Sequence, residues 1–306
     1  MTEGSSDEDQ RDGEDLEGTI SWRELLAEAI DALGRVEGVE APDLEGRWIV
    51  EEASGLEGAE WVLGLDDLAT QRGVAHLDAM LQRRAGGAPI QYVLGHWPFR
   101  TLDLLVDERV LIPRPETEQV VEVALAELDR LASSPSATVV DLGTGSGAIG
   151  LAIASERPKV DVWITDRSPD ALAVARANLA GLGMGGRRVR VAEGDWFAAL
   201  DGSLAAGVDL IVSNPPYVAA DEELAASVRD WEPAGALVPG PTGLEAYERI
   251  VAEAVTWLRP GGALVLEIGS TQALSVRALA DEAGLTDVRV VPDLAGLDRA
   301  LVARRP

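Results

Sequence analysis

From Thr138 to Ala303 short apolar runs alternate with helical stretches, and no other feature of the chain constrains its fold so tightly. Strand candidates fall at Thr138–Leu142, Val160–Thr165, Val189–Ala192, Val208–Val212, Gly262–Ile268, Val288–Val291 and Ala300–Ala303. Helical stretches lie between them: one ending at Ala154, then Pro169–Ala180, Ala246–Leu258 and Gln272–Ala283. A strand apolar along its whole length has both faces covered, and a helix between two such strands is the crossover that keeps them parallel. The pattern predicts an α/β fold built on a mostly parallel, doubly wound seven-stranded sheet.

Upstream the texture differs. Ser21 and Glu24 have the spacing of a capping box, followed by Leu25, Leu26, Ala29, Ile30 and Leu33 at helical intervals. Two more helices are expected over 42–54 and 70–84, with Gly34, Gly55 and Gly86 placed as C-caps. Between Pro89 and Pro113 apolar residues alternate in strand fashion around Gly95, which reads as a hairpin. Pro115 then suits the first turn of a helix whose N-terminus welcomes Glu116 and Glu118. Residues 1–18 hold eight acids and one arginine with almost nothing apolar, so they are expected to be disordered, with order starting at Ser21. The expected organisation is an acidic tail (1–18), a small helical domain (19–88), a connecting β-hairpin (89–112) and the α/β domain (113–306).

Composition removes several function classes. The 306 residues carry a formal charge of −27, which argues against affinity built on phosphate neutralisation. There is no cysteine, and His76 and His96 are the only histidines, leaving little for a metal centre or a Ser-His-Asp triad. No run approaches the ~18 apolar residues of a membrane-crossing helix. The N-terminus is acidic where a secretory signal is basic and then apolar, so a cytoplasmic protein is expected. Lys159 is the only lysine, which carries no functional conclusion.

The first strand runs into Asp141-Leu142-Gly143-Thr144-Gly145-Ser146-Gly147-Ala148. Glycines let the backbone turn sharply and approach a ligand, and the following helix offers N–H groups to an anion. Asp166 ends the second strand, placed to accept ribose hydroxyls at the carboxyl edge of the sheet. Gly145, Gly147 and Gly150 match the dinucleotide fingerprint, so the loop alone leaves a nicotinamide cofactor and S-adenosyl-L-methionine equally open. The fourth strand ends in Asn214-Pro215-Pro216-Tyr217. Proline forces Asn214 into extended backbone, and two prolines leave a stiff segment whose carbonyls lack competing local donors. The Asn214 side-chain oxygen and the Pro215 carbonyl suit a planar NH₂ group, with Tyr217 as a flat neighbour. Methyl transfer to an amino or amide nitrogen uses such an array; hydride transfer does not. In an isolated loop the same four residues are an ordinary turn.

Asp141–Gly147, Asp166 and Asn214–Tyr217 resemble the Rossmann-like class I S-adenosylmethionine-dependent methyltransferases. Gly87–Tyr92, Leu111–Glu118, Gly194–Phe197 and Trp231–Pro233 extend the likeness to the peptide chain release factor glutamine N5-methyltransferase family, over about 20–304. The Arg114–Thr117 segment is the more specific part, since Asn-Pro-Pro-Tyr is shared with adenine-N6 DNA methyltransferases and RNA enzymes. The resemblance implies that Gly143, Thr144, Gly145, Ser146, Gly147 and Asp166 bind the cofactor, with Asp195 and Trp196 on its adenine side. It implies Asn214 and Pro215 as catalytic, Asn214 as also facing the cofactor, and Asn214, Pro215, Pro216 and Tyr217 as holding the substrate glutamine. The implied partner is the Gly-Gly-Gln loop of class 1 release factors, gripped elsewhere by the helical domain. A monomer without a membrane or direct nucleic-acid partner is expected. Two departures are the acidic tail and Trp231, where the family carries phenylalanine.

The alternatives are an enzyme acting on adenine N6 or guanine N2 of nucleic acid, one acting on a ribosomal-protein glutamine, and a non-catalytic module. Arg187, Arg188 and Arg190 form a local cluster that could touch RNA, although the overall charge opposes it. His76 and His96 are expected to be surface or packing residues, and the eight tryptophans mostly filling. Glu267 ends a strand without an assigned role. Arg114 and Glu116 are divided between shaping the site and fastening the hairpin to the sheet.

Overall fold

The computed structural model describes residues 17–131 and 137–306, so most of the acidic tail expected over 1–18 lies outside the described residues. The chain divides into two compact units, Met1–Gly95 and His96–Pro306.

In the first unit, Glu17–Ser21 forms strand β1, followed by helices α1 (Trp22–Leu33), α2 (Pro42–Ser54) and α3 (Gly58–Gly64). Strand β2 (Leu68–Thr70), α4 (Gln71–Ala85) and α5 (Ile90–Leu94) complete it. The capping box is present: the Ser21 hydroxyl accepts the Glu24 N–H at 3.3 Å while Glu24 accepts the Ser21 N–H at 3.0 Å. Trp22, Leu25, Ala29 and Leu33 place one face of α1 in the core. Regular structure is present before Ser21: β1 pairs antiparallel with β2 so that Glu17 faces Thr70. The expected strand at 90–94 is instead the helical turn α5. Buried Ile90 and Val93 share a face at i, i+3 spacing, and Gly95 closes the turn at φ 82°, a left-handed value that favours glycine.

The second unit opens with a hairpin, β3 (His96–Phe99) and β4 (Leu102–Leu105), turning at Arg100. Arg100 anchors it: the backbone N–H donates to Glu118 at 2.8 Å and the guanidinium to Glu156 at 2.5 Å. Then follow α6 (Pro115–Arg130), β5 (Thr138–Leu142), α7 (Ala148–Glu156), β6 (Asp161–Asp166), α8 (Pro169–Gly181), β7 (Val189–Glu193) and β8 (Val208–Ser213). Two short helices, α9 (Ala226–Arg229) and α10 (Ala234–Leu237), precede α11 (Glu245–Trp257), β9 (Leu258–Glu267), α12 (Ala273–Glu282), β10 (Thr286–Pro292) and β11 (Asp298–Arg304).

The seven strands form one sheet in the order β10-β11-β9-β8-β5-β6-β7, with β11 alone running against its neighbours. The chain steps outward from β5 to β6 and β7, then returns to lay β8 against the other edge of β5. That reversal opens a crevice at the carboxyl ends of β5 and β8. Every residue of β8 is buried, as a central strand covered on both faces requires. One face packs under α6 and α7 through Val120, Val121, Leu151 and Ile153; the other packs under α11 and α12 through Tyr247, Ile250, Val251 and Val276. The expected α/β class and seven-stranded, mostly parallel sheet are thus observed. Trp22 and Trp61 are buried, and the half-buried Trp163, Trp196 and Trp257 pack against the core on the α11 and α12 face, as filling residues do.

Candidate active site

A cavity of about 320 Å³ opens at the carboxyl ends of β5, β6 and β8, within the size range of small-molecule sites. Its floor is the turn after β5. Gly143 and Gly145 adopt φ of 69° and 55° there, values that cost other residues ~1–3 kcal/mol. The Asp166 carboxylate stitches this turn to the end of β6, accepting the Gly145 N–H at 3.0 Å and the Ser168 N–H at 2.9 Å. Both oxygens keep a lone pair for a ligand hydroxyl.

Asp195 and Trp196 form a second wall. Trp196 holds a left-handed backbone, φ 53°, and its ring lies against Gly143, where an added Cβ would come within 3.3 Å of it. Such an unfavourable conformation in a bulky residue persists only where its surroundings enforce it. Asp195 accepts from Arg249 at 2.7 Å. Asn214 and Pro216 close the cavity on the β8 side, and Asn214 donates from Nδ2 to the Thr117 hydroxyl at 3.3 Å. Thr117 in turn donates to Glu267 at 2.6 Å.

The cavity therefore gathers Gly143, Gly145, Asp166, Asp195, Trp196, Asn214 and Pro216. Thr144, Ser146, Gly147, Pro215 and Tyr217 do not line it. Thr144 is buried with its hydroxyl on Asp141 at 2.5 Å, and the Ser146 carbonyl accepts from Asn178 at 2.8 Å. Gly147 caps α7, where a Cβ would strike Leu151 at 2.8 Å. Pro215 is buried, and the Tyr217 carbonyl accepts from Gln272 at 2.9 Å. His76 is exposed in the first unit, and half-buried His96, hydrogen-bonded to Asp103 at 2.8 Å, is not among the lining residues.

Two family profiles match the chain: "Methyltransferase small domain" over 123–230 and "PrmC N-terminal domain" over 24–95. A release factor glutamine methyltransferase of Cereibacter sphaeroides is 44% identical over 88% of this chain and 93% of that protein. Another, of Moorella thermoacetica, is 42% identical over 94% of this chain and 99% of that one. The chain belongs to the release factor glutamine methyltransferase family. Among solved structures, the hMettl16 catalytic domain with the MAT2A 3'UTR hairpin 6 superposes with a TM-score of 0.51. It is 14% identical over 78% of this chain and 84% of that one, a likeness of fold alone.

The methyl donor of such an enzyme is S-adenosyl-L-methionine, and the residues present fit it. The donor carries an adenosine, a carboxylate and two positive centres. The cavity offers glycine backbone without side chains to intrude, an aromatic ring at Trp196 and carboxylates at Asp166 and Asp195. Beneath the turn, Asp141 Oδ1 is buried without a hydrogen-bond partner, while Oδ2 accepts from Thr144 and from the Gly150 N–H at 2.9 Å. Burial pushes the Asp141 carboxyl up to about 7, against the pull of those two hydrogen bonds. The Gly150 N–H is thus spent internally and not offered to an anion.

Several residues of this release factor glutamine methyltransferase site escaped the sequence reading. Arg109, Val110 and Leu111 line one side, and Pro233, Gly235 and Ala236 the other. Glu232 fastens these two segments together: one oxygen accepts the Ile112 N–H at 3.1 Å and the other pairs with Arg114. The family segments at 111–118 and 231–233 carried that signal without revealing that they meet. Arg114 thus braces a wall of the cavity, whereas the hairpin is anchored by Arg100.

Proposed function

We infer that this chain transfers a methyl group from S-adenosyl-L-methionine to the side-chain amide nitrogen, N5, of a release factor glutamine. The proposed target is the Gly-Gly-Gln glutamine of class 1 release factors. The observation that carries the chemistry is the placement of Asn214, its amide nitrogen engaged by Thr117, on the same cavity as Gly143, Gly145 and Asp166.

When bound, the donor supplies a methyl group on a sulfonium, already a strong electrophile. An amide nitrogen is a poor nucleophile because its lone pair is delocalised into the carbonyl, so the protein's task is the nitrogen. Asn214 Oδ1 and the Pro215 carbonyl accept the two N–H hydrogens, which fixes the plane of the substrate amide. They would also favour positive character on nitrogen as it takes the methyl group and the carbon–sulfur bond breaks, the sulfonium leaving as a neutral thioether. Orientation contributes up to ~7–11 kcal/mol in ideal cases, and preorganised acceptors several more. Asp166 holds the ribose, Trp196 and Asp195 flank the adenine, and the 143–147 turn receives the methionine portion. Pro216 and Tyr217 hold the glutamine side chain. Once alkylated, the nitrogen is acidic enough to release its proton to Asn214, a carbonyl or water without a dedicated base. The helical unit grips the rest of the release factor, and the enzyme works as a cytoplasmic monomer without binding nucleic acid. Exposed Val62 and Leu63 supply apolar surface for that grip.

The test is incubation of the purified chain and radiolabelled donor with a release factor, its Gln→Ala variant, ribosomal proteins and total nucleic acid. Label on the unmodified factor alone is the expected result. Label on nucleic acid or on ribosomal protein in its place refutes the assignment.

A further inference from the structure

Asn214 can accept a hydrogen from the substrate only if its amide oxygen faces the cavity, and nothing in the side chain itself ensures this. A primary amide is nearly symmetric in shape, so the direction is decided by its partners. Its partner here is the Thr117 hydroxyl, in the first turn of α6 and only 4% exposed.

A threonine hydroxyl has one hydrogen to give and two lone pairs to receive. At 2.6 Å, an ionised Glu267 takes that one hydrogen, since a carboxylate only accepts. The hydroxyl then has only lone pairs to offer Asn214, which must present Nδ2 and turn Oδ1 the other way. Were Glu267 neutral, its own O–H could donate to Thr117, and the Thr117 hydrogen would be free for Asn214 Oδ1. The flipped amide would be equally satisfied and would meet the substrate NH₂ with a second NH₂.

We propose that Thr117 and Glu267 are positioning residues that hold the Asn214 amide with its oxygen toward the substrate, Glu267 acting through its ionised form. The proposal rests on the assignment of Asn214 as the acceptor of the substrate amide.

The surroundings of Glu267 suit such a role. It ends β9 with 1% of its surface exposed, and among the described residues no cation forms a salt bridge with it. Arg299 on β11 and Arg114 before α6 act on it at longer range, each held by its own acid, Asp293 at 3.2 Å and Glu232 respectively. Glu116 on α6 opposes its ionisation, and Tyr217 stands nearby as a neutral phenol. The Tyr247 hydroxyl from α11 donates to the Glu267 backbone carbonyl at 3.0 Å, not to the carboxylate. Burial first, with Glu116 adding to it, pushes the carboxyl up to about 7 against Thr117, Arg299 and Arg114. The carboxylate form therefore gains as pH rises through neutrality, and methylation should rise with it.

The experiment measures kcat, KM for the release factor and calorimetric donor affinity for Thr117→Val, Thr117→Ser, Glu267→Gln and Asn214→Ala, from about pH 6 to about pH 9. Valine matches threonine in shape but offers no oxygen. Thr117→Val should lower kcat at least ~10-fold with donor affinity retained, while Thr117→Ser restores most of the rate. The rise of kcat through neutral pH should flatten in Glu267→Gln. It should survive in Asp141→Asn, which separates Glu267 from the other acid raised to about 7. A Thr117→Val enzyme with unchanged kcat, or a Glu267→Gln enzyme with the original pH profile, overturns the proposal. An active Asn214→Ala enzyme overturns the underlying assignment instead, so the two failures are distinguishable.

Discussion

The two sides of the cavity are held by different kinds of bond. On the donor side, carboxylates grip backbone: Asp166 takes the N–H of Gly145 and of Ser168, and Asp141 takes that of Gly150. On the acceptor side, Asn214 depends on side chains, Thr117 at a sequence separation of 97 and then Glu267 a further 150 from Thr117. A backbone N–H persists whatever side chain it carries, whereas a side-chain relay is broken by one substitution at any of its members. The donor side should therefore lose function gradually and the acceptor side abruptly.

The sharpest way to break this contrast is Asn214→Ala, for which kcat should fall at least ~10²-fold while calorimetry shows donor binding largely retained. A matching loss of donor affinity would mean that the two sides are not separable. Next in size, Asp166→Ala should weaken donor binding ~10-fold or more with a smaller change in kcat at saturation, since it leaves two backbone donors without their acceptor.

The two buried acids sharpen the contrast through stability. Both have folded-state pKa values raised to about 7, largely by burial. Their stabilising contribution is complete below the ordinary carboxylate range near ~4 and is lost as pH climbs through the raised value. Melting temperature should thus drop between about pH 4 and about pH 7 and level off above that. Asp141→Asn and Glu267→Gln should each shrink that drop by several °C, the linkage being on the order of a few kcal/mol at ~1.4 kcal/mol for each pH unit between the two values. The smallest effect belongs to Arg249→Ala. Its pair with Asp195 is half-exposed on both sides, so donor affinity should change by no more than about threefold.

Legibility in the sequence follows the same division. The 143–147 turn, Asp166 and Asn214 stood out because glycine, a strand-ending acid and Asn-Pro-Pro each report a local backbone demand. The cavity gathers Gly143, Gly145, Asp166 and Asn214 from among them. Thr144 and Gly147 belong to the same run but serve its packing, one on Asp141 and the other against Leu151, and the run itself does not say which glycine faces the ligand. Thr117 and Glu267 were invisible as a pair because neither has a local reason to meet the other. The strand read at 90–94 failed for a related reason: a short apolar run fits two periods, and Gly95 at the end settled it as a helical turn.

By itself the sequence determined the α/β class, the glycine turn, the capped first helix and the family, since each rests on periodicity or on backbone preferences that act within a few residues. Tertiary structure decided which of those residues reach the cavity, how Glu232 joins its two walls and which hydroxyl restrains Asn214. Those are contacts between segments about a hundred or more residues apart, brought together only when β8 returns to the centre of the sheet. A side chain's hydrogen-bond direction depends on partners in space, and no local pattern along the chain encodes it.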